Sequence, residues 1–131
     1  MKNRKQRFLR IVGRVSKEIT EKYGIHDYAD KEIVQDLSLA AHASKHREEF
    51  KNDDSYYNTL ENVDKIIESP FFVYYDPHKN SLLYFKKIDE NVCAVVQLNL
   101  RKNKDIYVAT VYPISENKIN KYIEKSYILN R

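Results

Sequence analysis

Scarcity does much of the early sorting in this chain. It holds one cysteine, Cys93, so a disulfide framework is excluded, and the place of that cysteine inside the apolar run VCAVV suits packing rather than thiol chemistry. That run, Val92 to Val96, is the longest aliphatic one and ends at Gln97, far short of the roughly 20 apolar residues a bilayer span requires. No secretory signal is expected, because the basic start meets Phe8 and Leu9 and is charged again at Arg10. No membrane partner and a cytoplasmic location are therefore the expectation. Tryptophan is absent and glycine occurs twice, while lysine, asparagine, isoleucine and tyrosine are plentiful. This bias fits an AT-rich genome and carries no information about activity. Repeats, low-complexity tracts and long linkers are also missing.

What is present describes a globular chain. Hydrophobic residues make up 42% and charged residues 32% of 131 residues, which suits one domain over residues 1–131 with a real core. The charge is lopsided. Lys2, Arg4, Lys5, Arg7, Arg10, Arg14 and Lys17 put +7 into the first 17 residues, so a net +4 overall leaves −3 for the rest. At about 100° per residue, Phe8, Val12, Val15, Ile19 and Tyr23 share one face and Arg7, Arg10, Arg14 and Lys17 the other. This predicts a basic amphipathic helix over residues 1–24, ended by Gly24. Its cationic face suits nucleic acid phosphates, an anionic surface or an acidic protein.

A second helix is expected from Asp27 or Asp30 to about Lys51, with Ile33, Leu37, Ala40, Ala41 and Ser44 on its apolar face and Leu39, Ala43 and Phe50 at the side. DDSYYNTLENVDKIIESP reads as a third helix capped at Asp54 or Ser55, with Tyr56, Leu60, Val63 and Ile67 inward, stopped at Pro70. Four strands follow with short connections: FFVYY, SLLYFKKI, VCAVVQLNL and IYVATVY. Ser115 caps a C-terminal helix whose Ile119, Tyr122, Ile123 and Tyr127 point inward. The expected fold is α+β, with N-terminal helices packed on a four-stranded antiparallel β-meander and a C-terminal helix. Such a sheet leaves one face open. Tyr74, Tyr75, Tyr84, Tyr107 and Tyr112, with Lys86, Lys87, Arg101, Lys102 and Lys104, suit that face to stacking bases and tracking phosphates. In the fourth strand Thr110 and Tyr112 are expected to share a face with Ile106 and Val108.

Two of the four histidines, His42 and His46, stand one helical turn apart in AAHASKHREEF. A zinc protease would need glutamate immediately after the first histidine, and Ala43 stands there. A metal site from His42, His46 and Glu49 fits the i, i+4, i+7 spacing. So does metal-free acid and base work, for which imidazole is suited near neutral pH, with Lys45 and Arg47 meeting a phosphate.

The helical AHASKHREEF, the ESPFFVYYDPHKNSLLYFKK hairpin, the VCAVVQLNL strand and the YVATVYPISENKINKY ending, in that order, resemble the phage-type nucleases grouped with barnase, EndoU, the tRNA-cutting colicins and RelE toxins. The resemblance spans about residues 30–128 and leaves the basic N-terminal helix outside. It implies helices on a four-stranded antiparallel sheet and metal-independent RNA cleavage without a cofactor, with a site lined by His42, His46, Lys45, Thr110 and Tyr112. The reaction would be attack of a ribose 2′-OH on the adjacent phosphorus, leaving a 2′,3′-cyclic phosphate. On this reading His46 is base or acid, His42 its complement or orienter, and Thr110 and Tyr112 donate hydrogen bonds. Lys45, Lys86 and Arg101 hold phosphate, and Arg7, Arg10 and Arg14 form an RNA-docking arm. RNA and an acidic antitoxin or immunity protein are the expected partners. The alternative is a non-catalytic module that binds nucleic acid or a partner through the same fold.

Overall fold

The computed structural model describes residues 10–99 and 105–129. The meander is present: β3 (Phe72–Asp76), β4 (Ser81–Lys87), β5 (Asn91–Gln97) and β6 (Ile106–Pro113) run antiparallel to one another. Local chemistry sets its turns. Asp76 Oδ1 accepts from His78 N at 3.0 Å, and Asn80 takes a left-handed φ of 50° before β4 begins. The next turn is tied down from outside, because Glu90 accepts from the Lys51 amide and the Ser55 hydroxyl while Asn58 reaches Asp89.

The sheet is larger than expected. It has six strands in the order β1-β2-β6-β5-β4-β3, because two further strands come from segments expected to be helical. β1 (Arg10–Arg14) and β2 (Glu32–Gln35) pair antiparallel, and β2 joins β6 in parallel through Ile33↔Ile106 and Val34↔Tyr107. The expected helix over residues 1–24 is therefore a strand followed by α1 (Lys17–Tyr23), with residues 1–9 lying outside the described ones. Ser16 caps α1 by accepting from Ile19 N, and Gly24 closes it at φ 68°. Val12 and Val15 are buried as anticipated, but from a strand and its exit rather than a helix face.

The second expected helix is likewise shorter. After β2, Asp36 accepts from the Ser38 amide and starts α2 (Ser38–Ala43), which continues as a 3-10 helix over Ser44–Glu49. Its buried residues are Leu39, Ala43 and Phe50, whereas Leu37, Ala40, Ala41 and Ser44 are exposed. The helical face is thus rotated from the expected one, because the helix begins only after β2. The third helix is two, α3 (Asp53–Glu61) capped by Asn52 and α4 (Val63–Glu68), divided at Asn62, whose side chain binds Asn58. Helix α5 (Glu116–Leu129) begins after Ser115, which caps it, and buries Ile119; Tyr127, expected inward, is exposed.

Two apolar layers sandwich the sheet. Leu39, Ala43, Val63, Ile66, Leu82, Tyr84, Val96 and Val111 belong to the larger one, on the side of α2 to α4. Tyr74, Leu83, Phe85, Cys93 and Ile119 form the smaller one beneath α5, where Tyr122 packs 4.8 Å from Tyr74. The face expected to be open is covered over β3 to β5 by this helix. Tyr74 and Tyr84 are buried structural residues, not base-stacking ones.

Gly13 shows how tightly the larger layer closes. A Cβ there would come within 2.8 Å of Ile67 Cγ2, so the absence of a side chain lets α4 lie against β1.

Candidate active site around His46

His46 sits in the 3-10 segment, where three residues make a turn and side chains three apart lie one above the other. That local geometry brings Glu49 to it: His46 Nδ1 lies 2.8 Å from Glu49 Oε2. A carboxylate can only accept, so Nδ1 donates, and in the neutral ring the lone pair lies on Nε2. The imidazole also meets the ring of Tyr112, with centroids 5.2 Å apart and a tilt of 43°. Its side chain retains 31% exposure, so it is held on two sides and reachable from solvent.

A register break in β6 places Tyr112. Val95 pairs with Thr110 and Val96 with Val108, leaving Ala109 unpaired as a bulge. The expected common face therefore does not exist. Ile106 and Val108 pack into the larger layer, while Tyr112 joins the smaller one and Thr110, two residues before it, shares its side. Because β2 pairs with β6 only at Ile106 and Tyr107, the rest of β6 is bordered by α2 and the 3-10 segment, which carry His46 to it.

The Tyr112 hydroxyl is engaged with the Cys93 thiol on the neighbouring strand. Burial, Cys93, Tyr122 and Glu49 all push its pKa upward, burial most. Burial also pushes the Cys93 thiol up to about 12. Both groups therefore stay protonated near neutral pH, and Tyr112 offers His46 its ring rather than a free hydroxyl. Thr110 differs: its Oγ1 is buried without a hydrogen-bond partner among the described residues, an arrangement that costs about 1–3 kcal/mol unless something pairs with it.

The other expected site residues are placed less evenly. His42 and Lys45 are exposed on the same helical path as His46. No group of three His, Cys, Asp or Glu side chains among the described residues is arranged as metal ligands, so His42 does not complete a set with His46 and Glu49. Lys86 is not brought to the site. It donates to Ser69 O at 2.7 Å and to Ser69 Oγ at 3.1 Å, on the α4 side of the sheet, opposite Tyr112. Arg7 and Arg101 lie outside the described residues.

Arg10 and Arg14 stand on the edge strand β1, at the other side of β2 from β6. Both are already paired. Arg10 donates to Gln35 and lies 3.9 Å from Asp64, and Arg14 donates to Asp30 O and Glu32. Among the described residues, strand geometry brings acids from β2 and α4 alongside these two arginines, while the rest of the expected RNA-docking arm, residues 1–9, lies outside the described ones.

Two cavities, of about 540 and 440 Å³, lie between α1 and β3 rather than at His46; of the expected site residues only Arg14 lines either. Sequence reasoning treated Glu49 as a metal ligand and missed it as the partner of Nδ1, although the i, i+3 spacing was there to read. It also missed the Cys93–Tyr112 contact, for which no local signal exists, since the two meet across strands.

A family model for the phage-Barnase-EndoU-ColicinE5/D-RelE like nuclease3 matches residues 10–121. The match includes β1 and α1, which the resemblance read from sequence had left out. No curated protein and no solved structure matches the chain.

Proposed function

Because the chain belongs to this barnase, EndoU, colicin and RelE-like nuclease family, we propose that it is a metal-independent, toxin-like endoribonuclease whose chemistry centres on His46. The observation that carries this reading is the imidazole held by Glu49 at Nδ1 and by the Tyr112 ring, which in the neutral ring leaves the lone pair on Nε2. A base must have a lone pair at a fixed place, and this arrangement supplies one.

In the proposed reaction, His46 Nε2 removes the proton from a ribose 2′-OH. The oxygen attacks the adjacent phosphorus, and the bond from phosphorus to the 5′-oxygen breaks. His42, one turn earlier and exposed, gives a proton to that leaving oxygen. The products are a 2′,3′-cyclic phosphate and a 5′-hydroxyl. Lys45 meets the phosphate charge, and Thr110 supplies the donor that Tyr112, committed to Cys93, does not. Glu49 takes the orienting role, fixing the tautomer and stabilising the imidazolium formed after proton transfer, as a buried carboxylate does for the histidine of a hydrolase triad. An acidic antitoxin or immunity protein would engage Lys2, Arg4, Lys5 and Arg7, since Arg10 and Arg14 are already paired.

The test is incubation of the purified protein with labelled total RNA in excess EDTA, reading fragments and their end groups. We expect EDTA-resistant cleavage with cyclic phosphate ends, reduced about 10²- to 10⁴-fold in His46→Ala, the range expected for loss of a general base, with the melting temperature unchanged. Intact RNA with the wild-type chain, accompanied by salt-sensitive binding, would favour the non-catalytic module instead. Thr110→Val separates function from packing: replacing an unpaired buried hydroxyl by an isosteric methyl leaves stability equal or higher, while cleavage falls if the hydroxyl serves the phosphate.

A further inference from the structure

Residue 47 follows the histidine directly, yet its contacts go the other way. In a 3-10 helix successive side chains diverge by about 120°, so His46 faces β6 while Arg47 faces α3. Arg47 Nε donates to Asp53 Oδ1 at 3.1 Å. Its guanidinium lies 5.4 Å from the ring centroid of Tyr56 and 5.1 Å from that of Tyr57. The rings themselves form a series from core to surface. Phe50 meets Tyr56 edge-on at 5.4 Å, and Tyr56 meets Tyr57 at 5.0 Å. Tyr56 is buried, whereas Tyr57 is 48% exposed.

Of the exposed large apolar and aromatic residues among those described, Tyr57 alone carries a cation against its ring. It is also braced by Tyr56, so little freedom is lost when something stacks on it.

We propose that Tyr57, braced by Arg47, is a stacking subsite for an unpaired RNA base beside the His46 centre; this rests on the ribonuclease reading above. The occupant is a base rather than a phosphate. Asp53 already meets the Arg47 charge, and Glu48, Glu49 and Asp54 are exposed nearby, so an anion gains little there. An aromatic ring accepts any base face, and its contribution does not release counterions. The subsite therefore adds affinity without adding salt dependence.

The test uses the full chain carrying His46→Ala, so that the RNA stays whole, with a short unstructured RNA oligonucleotide as probe. Tyr57→Ala is expected to weaken binding roughly tenfold, with the slope of affinity against salt unchanged, while Tyr57→Phe binds as well as the parent. The chain has no tryptophan, so Tyr57→Trp introduces a single indole whose emission should be quenched as the RNA is added. Unchanged affinity in Tyr57→Ala together with unchanged emission in Tyr57→Trp would overturn the proposal. So would a Tyr57→Ala loss that comes with a flatter salt slope. The cleavage assay is independent: no cleavage by the wild type, with emission of Tyr57→Trp still quenched by RNA, removes the enzyme reading and keeps the stacking site, and cleavage by the wild type, with Tyr57→Ala affinity and Tyr57→Trp emission both unchanged, does the reverse.

Discussion

The stretch from Phe72 to Pro113 and the stretch from Arg10 to Glu49 are built from similar residues but find their partners at very different distances. In the first, each strand pairs with the next, and a turn of a few residues delivers it. In the second, β1 reaches β2 across an intervening helix, and β2 reaches β6, some seventy positions on. Further ties are as remote: Tyr23 donates to Val73 O at 2.6 Å, and Asn80 donates to Tyr28 at 3.0 Å. The lesson is that the meander holds its shape through neighbours, while the N-terminal region is positioned by the rest of the molecule. The histidines belong to the second kind of region, so their geometry depends on contacts far away in sequence.

The most severe way to break that comparison is Ile33→Ala. Ile33 is fully buried at the point where β2 meets β6, so truncation is expected to cost about 2–5 kcal/mol. Because β2 leads into the helix that carries His46, cleavage and thermal stability should fall together, in contrast to His46→Ala, where only cleavage falls. Thermal melts beside the RNA assay would show it. Equal stability in Ile33→Ala would mean that β2 does not anchor the site.

Gly13→Ala is the next step down. The added methyl meets Ile67 at 2.8 Å, and overpacking of this kind costs about 1–3 kcal/mol. Pairing it with Ile67→Val, which removes a methyl from that side chain, should recover part of the loss in chemical denaturation.

Alkali should sharpen the contrast from the other side. Burial raises the Cys93 thiol from its ordinary 9.0 to about 12, and the Tyr23 hydroxyl from 10.0 to about 12. The folded state holds these protons more tightly than the unfolded one, so their contribution is complete below about pH 9 and is lost as pH rises toward 12. The melting temperature should decline steadily over that window. Cys93→Ala, though less stable at neutral pH, should show a shallower decline.

The smallest effect expected is for Arg14→Ala. Its pair with Glu32, at 3.1 Å, joins side chains that are 59% and 44% exposed, and such pairs contribute about 0–1 kcal/mol. RNA affinity should change little as well, since this arginine is already occupied. A large loss of binding would restore it as part of a docking arm.

Much of the first region, and of α5 after it, was legible from sequence because the signals are local. Alternation in VCAVVQLNL, turn residues at Asp76 and Asn80, and Ser115 before α5 each act within a few residues of where they stand. β2 was not legible: EIVQ has two adjacent apolar residues, both buried in the sheet interior, and nothing in four residues separates that pattern from a turn of helix. β1 was misread for a related reason. Val12, Val15, Ile19 and Tyr23 match a helical period, yet the first two serve a strand and the last two a helix.

The sequence by itself determined the meander and the C-terminal helix, since each follows from signals along one element or across a short turn. Tertiary structure alone decided that the sheet has six strands, that a bulge at Ala109 turns Thr110 and Tyr112 away from the Ile106 side, and that Tyr112 is engaged with Cys93 while its ring meets His46. Those outcomes depend on pairing between strands and on which face a helix covers, and such choices are made by the summed burial of distant residues rather than by the preference of any short segment.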